Sequence, residues 1–176
     1  ARRAEGVREL PSPRPLQAAG ARRPPPPPAP SAPRMAHGLA HLHSAWAVER
    51  AVADEESRVV LLRFGHDCDP ECVLMDELLL SAKEAVQATC SIYLVDVTEV
   101  PDFSQQYELY DPCTLMFFFR GRHLQLELGF GDRYKITWPL GSTRELADVV
   151  EAVHRGAQQG RDLIVASRDY SLAYRY

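Results

Sequence analysis

Arg63-Phe64-Gly65-His66-Asp67-Cys68-Asp69-Pro70-Glu71-Cys72 is the stretch that decides the fold. It begins inside residues 58–64 (RVVLLRF), apolar and β-branched enough for a central strand. It ends in a helix start: Asp69 as N-cap, Pro70 at the first helical position and Glu71 in the first turn. A strand that feeds a helix N-terminus bearing cysteine is where a dithiol redox site keeps its Cys-x-x-Cys pair. The first of those seats, position 69, holds aspartate, and only Cys72 remains. A carboxylate cannot form a disulfide, so the ordinary exchange cycle has no attacking sulfur. The stretch reads as a redox scaffold turned to binding.

Outward from this turn the pattern alternates strands and helices. Val73, Met75, Leu78, Leu79, Ala82 and Val86 give the helix after Asp69 an apolar face. Residues 91–97 (SIYLVDV) form a second strand, 103–110 a short helix and 114–120 (TLMFFFR) a third strand. Gly121 and Arg122 turn the chain into a fourth strand over 123–128, where His123, Gln125 and Glu127 alternate with leucines. A loop over 129–132 leads on to a last long helix. Thr143 caps it, Leu146, Val149, Val150 and Val153 line it, and it ends near Gly156 or Gly160. Upstream, Ser44 caps a helix to about residue 56 with Trp46, Val48 and Val52 as its apolar positions. The order α-β-α-β-α-β-β-α gives an α/β domain: a mixed four-stranded sheet flanked by helices. There is no internal repeat.

The chain has 176 residues, 45% of them apolar, enough for one domain of ordinary size. That domain spans 35–176. Residues 1–34 read as a disordered Pro/Arg/Ala-rich tail, with ten of the 14 prolines, Pro24 to Pro28 among them. The proline run favours polyproline II, which an aromatic groove could bind, but composition is its only support and a solvated tail is the preferred reading. Met35, the first methionine, stands where the globular pattern begins, and no function is assigned before it. The tail carries seven arginines against Glu5 and Glu9, a balance of +5 within a total of −4, so residues 35–176 carry −9. An acidic domain repels phosphates, which argues against direct RNA contact and suits protein partners with basic or neutral faces. No apolar run approaches the ~20 residues that cross a bilayer, so no membrane partner is expected. Four cysteines (68, 72, 90 and 113) and no leader pattern point to a reducing compartment, cytosol or nucleus.

For catalysis the sequence offers little. Asp69 is explained by helix capping, here of the Cys72 N–H, and no paired acid stands beside it for general acid–base work. Asp67, Asp69 and Glu71 surround Cys72 with negative charge, against which the helix dipole is the weaker effect, so an ordinary thiol is expected. Cys68 and Cys72 form Cys-x3-Cys near His66, but zinc needs about four ligands and no second pair exists. His37, His41 and His43 read as a polar arm. No metal or cofactor is expected, and neither a phosphate-cradling glycine motif nor a nucleophile elbow is present. At the C-terminus Tyr170, Tyr174, Arg175 and Tyr176 are residue types that anchor interfaces, or they pack back on their own domain.

Longer motifs narrow the reading. His41-Leu42-His43, Arg63-Phe64-Gly65-His66-Asp67, residues 92–110 (IYLVDVTEVPDFSQQYELY), Asp111-Pro112-Cys113-Thr114 with Met116-Phe117-Phe118-Phe119-Arg120, and Tyr174-Arg175-Tyr176 closely resemble the thioredoxin-like 4 family. These are the Dim-type spliceosomal proteins of the U5 small nuclear ribonucleoprotein. The resemblance covers residues 35–176. It implies a thioredoxin-like fold with extensions, a nuclear location and no enzyme activity. The implied work is as a protein-binding subunit of the U4/U6.U5 particle in pre-mRNA splicing, with a link to mitosis. The implied partners are large scaffold and helical-repeat proteins of those particles and a polyglutamine-tract-binding protein. Cys72 and Cys113 fall on the family's cysteine pair, which the thioredoxin architecture brings together. A disulfide there would close about 40 residues and add about 4 kcal/mol in the chain-entropy model. Two buried thiols are the alternative in a reducing cell. The chain departs from the pattern at Cys68, where the family usually has tryptophan, at Glu71, around Val73, and over 79–87 and 130–144. Two other readings stay open: a thiol–disulfide oxidoreductase using Cys72 with Cys113 or Cys68, and an interaction module outside splicing held by the proline arm.

Overall fold

Apolar runs of strand length must be covered on both faces, and three of them build the centre of the sheet in this computed structural model, which describes residues 35–36, 38–129 and 131–166. The tail over 1–34 lies outside the described residues. The central runs are β3 (Val59–Gly65), β4 (Cys90–Asp96) and β5 (Cys113–Phe119). β3 lies parallel to β4 and antiparallel to β5, with Leu61 facing Ile92 on one side and Phe117 on the other. Two short strands, β1 (Met35–Ala36) and β2 (Leu39–His41), extend the sheet past β4, and β6 (Arg122–His123) extends it past β5. Among the described residues the main sheet therefore has six strands in the order β1-β2-β4-β3-β5-β6, not four.

Period-two alternation divides the core. Val59 and Leu61 pack with the side that carries α2 (Pro70–Val86) and α4 (Thr143–Gln158). Val60, Leu62 and Phe64 pack with α1 (Ala45–Asp54) through Val48 and Val52. A fourth helix, α3 (Pro101–Gln106), is a turn and a half after β4, shorter than the 103–110 read from sequence. Fully burying each large apolar side chain contributes about 1.5–3 kcal/mol, so the two-sided core supplies most of the stability.

Local sequence explains the ends. Ser44 Oγ accepts the Ala47 N–H at 3.1 Å, and Ser142 Oγ accepts the Glu145 N–H at 3.2 Å. The cap of α4 is thus Ser142 and not Thr143, which is already helical. α4 passes Gly156, whose missing Cβ lets Ile164 pack against the helix, and stops before Gly160 at φ +77°. The expected fourth strand breaks at Leu124. β6 stays with β5, while β7 (Gln125–Glu127) leaves to pair in parallel with β8 (Leu163–Val165). That departure seats Leu126 and Ile164 in the core beside α4. Two positions expected on apolar faces are open to solvent. Trp46 is 39% exposed under the Arg50 guanidinium, and Val73 is 44% exposed on α2. The buried stripe of α2 is instead Cys72, Met75, Leu79, Ala82 and Val86.

Candidate functional site

The turn between β3 and α2 holds the degenerate dithiol site. Asp69, with extended φ −69° and ψ 132°, accepts the Glu71 N–H at 2.8 Å, so the cap serves Glu71 and not Cys72. Its own N–H donates to the His66 carbonyl at 2.9 Å. Asp96, at the end of β4, accepts the Asp67 N–H at 3.3 Å and the Thr98 N–H at 2.9 Å, which ties the turn to the neighbouring strand. The hydrogen bonds from Thr98 and Asp67 outweigh burial and hold the Asp96 carboxyl below its usual range.

Cys72 is fully buried beneath the first turn of α2, and its thiol donates to the Pro112 carbonyl at 3.2 Å. Cys113 stands opposite Gly65 in the β3–β5 register, which brings it beside Cys72. Both are free thiols, as are the exposed Cys68 and the buried Cys90. Interaction with the neighbouring Cys113 thiol lowers the Cys72 pKa, helped by the Arg63 guanidinium and opposed by burial. The same interaction and burial push Cys113 up. The expectation of an ordinary Cys72 thiol is corrected: the acidic neighbours are offset by Cys113 and by a buried cation the sequence reading did not place. Access still separates the thiols. Burial pushes Cys90 up to about 12, and Cys72 and Cys113 have almost no exposed surface. In the native chain a thiol alkylating agent should label Cys68 and leave Cys72, Cys90 and Cys113 until urea is added, as peptide mass spectrometry would read.

Beside the thiols lies a network that sequence reasoning missed. Arg63 sits near the C-terminal end of β3 with no exposed surface. Its Nε and Nη2 each donate to Asp76 of α2 at 2.7 Å, and Nη2 also donates to Asp67 at 3.0 Å. Asp67 is shared with His41 Nε2 at 3.1 Å. His41 is therefore a buried β2 residue, not part of a polar arm, although it stacks on the exposed His43 with centroids 5.6 Å apart. Burial pushes the Asp76 carboxyl up even against the Arg63 charge. One signal was available: a charge between Leu62 and Phe64 of an otherwise apolar central strand must find a buried partner, because an unpaired one is not tolerated there.

Among the described residues no group of three or more His, Cys, Asp or Glu is arranged to hold a metal ion, and no peptide bond is cis, Pro112 included. His37 and the anchors Tyr170, Tyr174, Arg175 and Tyr176 lie outside the described residues.

Comparison with known proteins agrees with this geometry. The central sheet and its helices are similar to chloroplastic thioredoxin z, at a TM-score of 0.54 and 17% identity over 67% of this chain and 96% of that one. A mutant thioredoxin from Halobacterium salinarum aligns at a TM-score of 0.50 and 19% identity, over 63% and 86% of the two chains. The fold is thioredoxin-like. Among curated proteins, mitosis protein dim1 of Schizosaccharomyces pombe is 46% identical over 81% of this chain and 100% of its own. Spliceosomal protein DIB1 of Eremothecium gossypii is 44% identical over 76% of this chain and 93% of its own. Human thioredoxin-like protein 4B is 34% identical over 73% and 86%. The family model described as Mitosis protein DIM1 matches residues 38–170, and the chain belongs to that family.

Proposed function

We propose that the chain is a non-catalytic, protein-binding subunit of the spliceosome that works in nuclear pre-mRNA splicing. The observation that carries this reading is the likeness, over 93% and 100% of their own lengths, to proteins named DIB1 and dim1, the first called spliceosomal and the second a mitosis protein. The site supports it chemically. The seat of the attacking sulfur holds a capping aspartate, and the remaining thiol is buried under the Pro112 carbonyl. The finer reading follows the resemblance. It places the chain in the U5 and U4/U6.U5 particles, against large scaffold and helical-repeat proteins and a polyglutamine-tract-binding protein. Tyr170, Tyr174, Arg175 and Tyr176 serve as anchors in that reading.

One observation favours a second reading, a thiol–disulfide oxidoreductase: the lowered pKa of Cys72 beside Cys113. Two measurements separate them. Tagged chain incubated in nuclear extract should recover spliceosomal proteins by mass spectrometry, and recovering none sinks the first reading. In an insulin-reduction assay the chain should show no turnover; turnover that disappears in Cys72→Ser would establish the second.

A further inference from the structure

Helix α2 has a second stripe that its own domain covers only in part. Val73, Asp76, Glu77 and Leu80 recur at the three- and four-residue spacing of one helix face, distinct from the buried stripe of Cys72, Met75 and Leu79. Val73 and Leu80 are 44% and 41% exposed. Across from them stands β2, and between helix and strand runs a groove of about 450 Å³. Leu39 and Leu94 supply its apolar strand side, with His41 beside them. At one end Gly38 lies against the Leu80 side chain and its carbonyl accepts Lys83 Nζ at 2.6 Å, so that cation is already engaged. Carboxylates stand among the apolar side chains of the helix side and on the turn before it. Asp67 and Asp76 share the Arg63 guanidinium beneath them, and the exposed Glu77 carboxylate has no ion pair among the described residues.

An apolar trough edged with carboxylates has a definite complement. Its carboxylates outnumber the single buried arginine, so the occupant is cationic where it meets Asp67 and Glu77 and apolar where it meets Val73 and Leu80. Phosphate-bearing ligands are repelled by the same carboxylates. A second copy of this chain is disfavoured too, because residues 35–176 carry −9.

We propose that the α2–β2 groove is the docking seat for a short basic and apolar segment of a partner protein, an arginine or lysine reaching Asp67 and Glu77 while leucine-sized side chains lie over Val73 and Leu80. This deepens the protein-binding reading above and rests on it. It assigns binding to a groove that borders the degenerate dithiol turn at Asp67.

The test uses the full chain and a fluorescein-labelled Leu-Arg-Leu-Arg-Leu peptide, followed by fluorescence anisotropy. Leu-Glu-Leu-Glu-Leu and a labelled oligouridylate are the comparators. The arginine peptide should bind and the other two should not. Glu77→Lys and Leu80→Asp should each weaken it by about tenfold, and added salt should weaken it further. Both side chains are exposed, so circular dichroism melts should match the parent and exclude unfolding as the cause. Equal binding of the arginine and glutamate peptides, binding of the oligouridylate instead, or unchanged affinity in both variants overturns the proposal. Binding that appears only after residues 1–34 are removed also overturns it, because the groove would then belong to the chain's own arginine-rich segment. The nuclear-extract recovery is repeated with Glu77→Lys. If the parent recovers spliceosomal proteins and the variant does so equally, the groove proposal falls while the spliceosomal reading stands. If the parent recovers none, the spliceosomal reading falls and the peptide measurement still decides the groove.

Discussion

Arg63→Leu lowers the stability of the chain by about 3–5 kcal/mol at neutral pH, the loss expected when one member of a buried ion pair is removed. The mechanism is the carboxylate left behind. Asp76 faces the core with 23% of its side chain exposed and takes two Arg63 hydrogen bonds of 2.7 Å. Asp67, at 44% exposure, can turn to water and adds little. The pH dependence has a definite sign. Burial already raises the Asp76 pKa in the folded chain, and removing the arginine raises it further. A carboxyl with a folded pKa above its unfolded value destabilises the fold when ionised, and that penalty fades as pH falls through the folded value. The gap between Arg63→Leu and the parent therefore narrows on acidification toward the ordinary carboxylate range. Urea titrations over a pH series would measure it. Adding Asp76→Leu to Arg63→Leu should recover most of the loss at neutral pH, because an apolar pair of similar volume removes the unpaired charge. A single variant as stable as the parent, or a gap that widens with acid, would refute the account.

The same residue shows where sequence reading succeeds and where it stops. Three central strands were legible because RVVLLRF, SIYLVDV and TLMFFFR are apolar over strand length, and α2 because aspartate, proline and glutamate stand in order at its start. Pairings that depend on distant residues were not legible. β1 and β2 are 2 and 3 residues long and owe their place to a neighbour, since the Ala40 and His41 positions of β2 register against Tyr93 and Leu94 of β4. β7 leaves the main sheet because β8, beyond the whole of α4 in the chain, offers it a partner. At the site, the sequence showed the missing sulfur at position 69 but not the charge balance at Cys72. The acids beside Cys72 are local in sequence, whereas Arg63 and Cys113 arrive from β3 and β5. Helical spacing puts Val73 in the core, and its exposure opens the groove; periodicity counts apolar positions without saying which are covered.

Gly65→Ala tests how tightly the two thiol-bearing elements close on the end of β3. Replacing glycine with alanine in ordinary extended backbone stabilises a fold by about 0.4–1 kcal/mol, because the unfolded chain loses freedom. At Gly65 the steric term opposes this. A Cβ there would collide with Cys72 Sγ and lie 2.6 Å from the Pro112 carbonyl oxygen and 3.6 Å from Cys113 Cα. Two of these neighbours are backbone and cannot rotate away. Retreat of the strand is also blocked, since Gly65 is in register with Asp96 of β4 and Cys113 of β5 and its carbonyl accepts the Val97 N–H at 3.1 Å. Overpacking therefore dominates, and the substitution should destabilise by about 1–3 kcal/mol, read from the urea midpoint. The effect has an internal check. Cys72→Ala removes the colliding sulfur, so the double variant should be more stable than the sum of the single losses predicts, while the Pro112 carbonyl keeps the recovery incomplete. If Gly65→Ala proves neutral or stabilising, the strand end has room that this packing denies, and Cys72 is less enclosed than its burial and its hydrogen bond to Pro112 require.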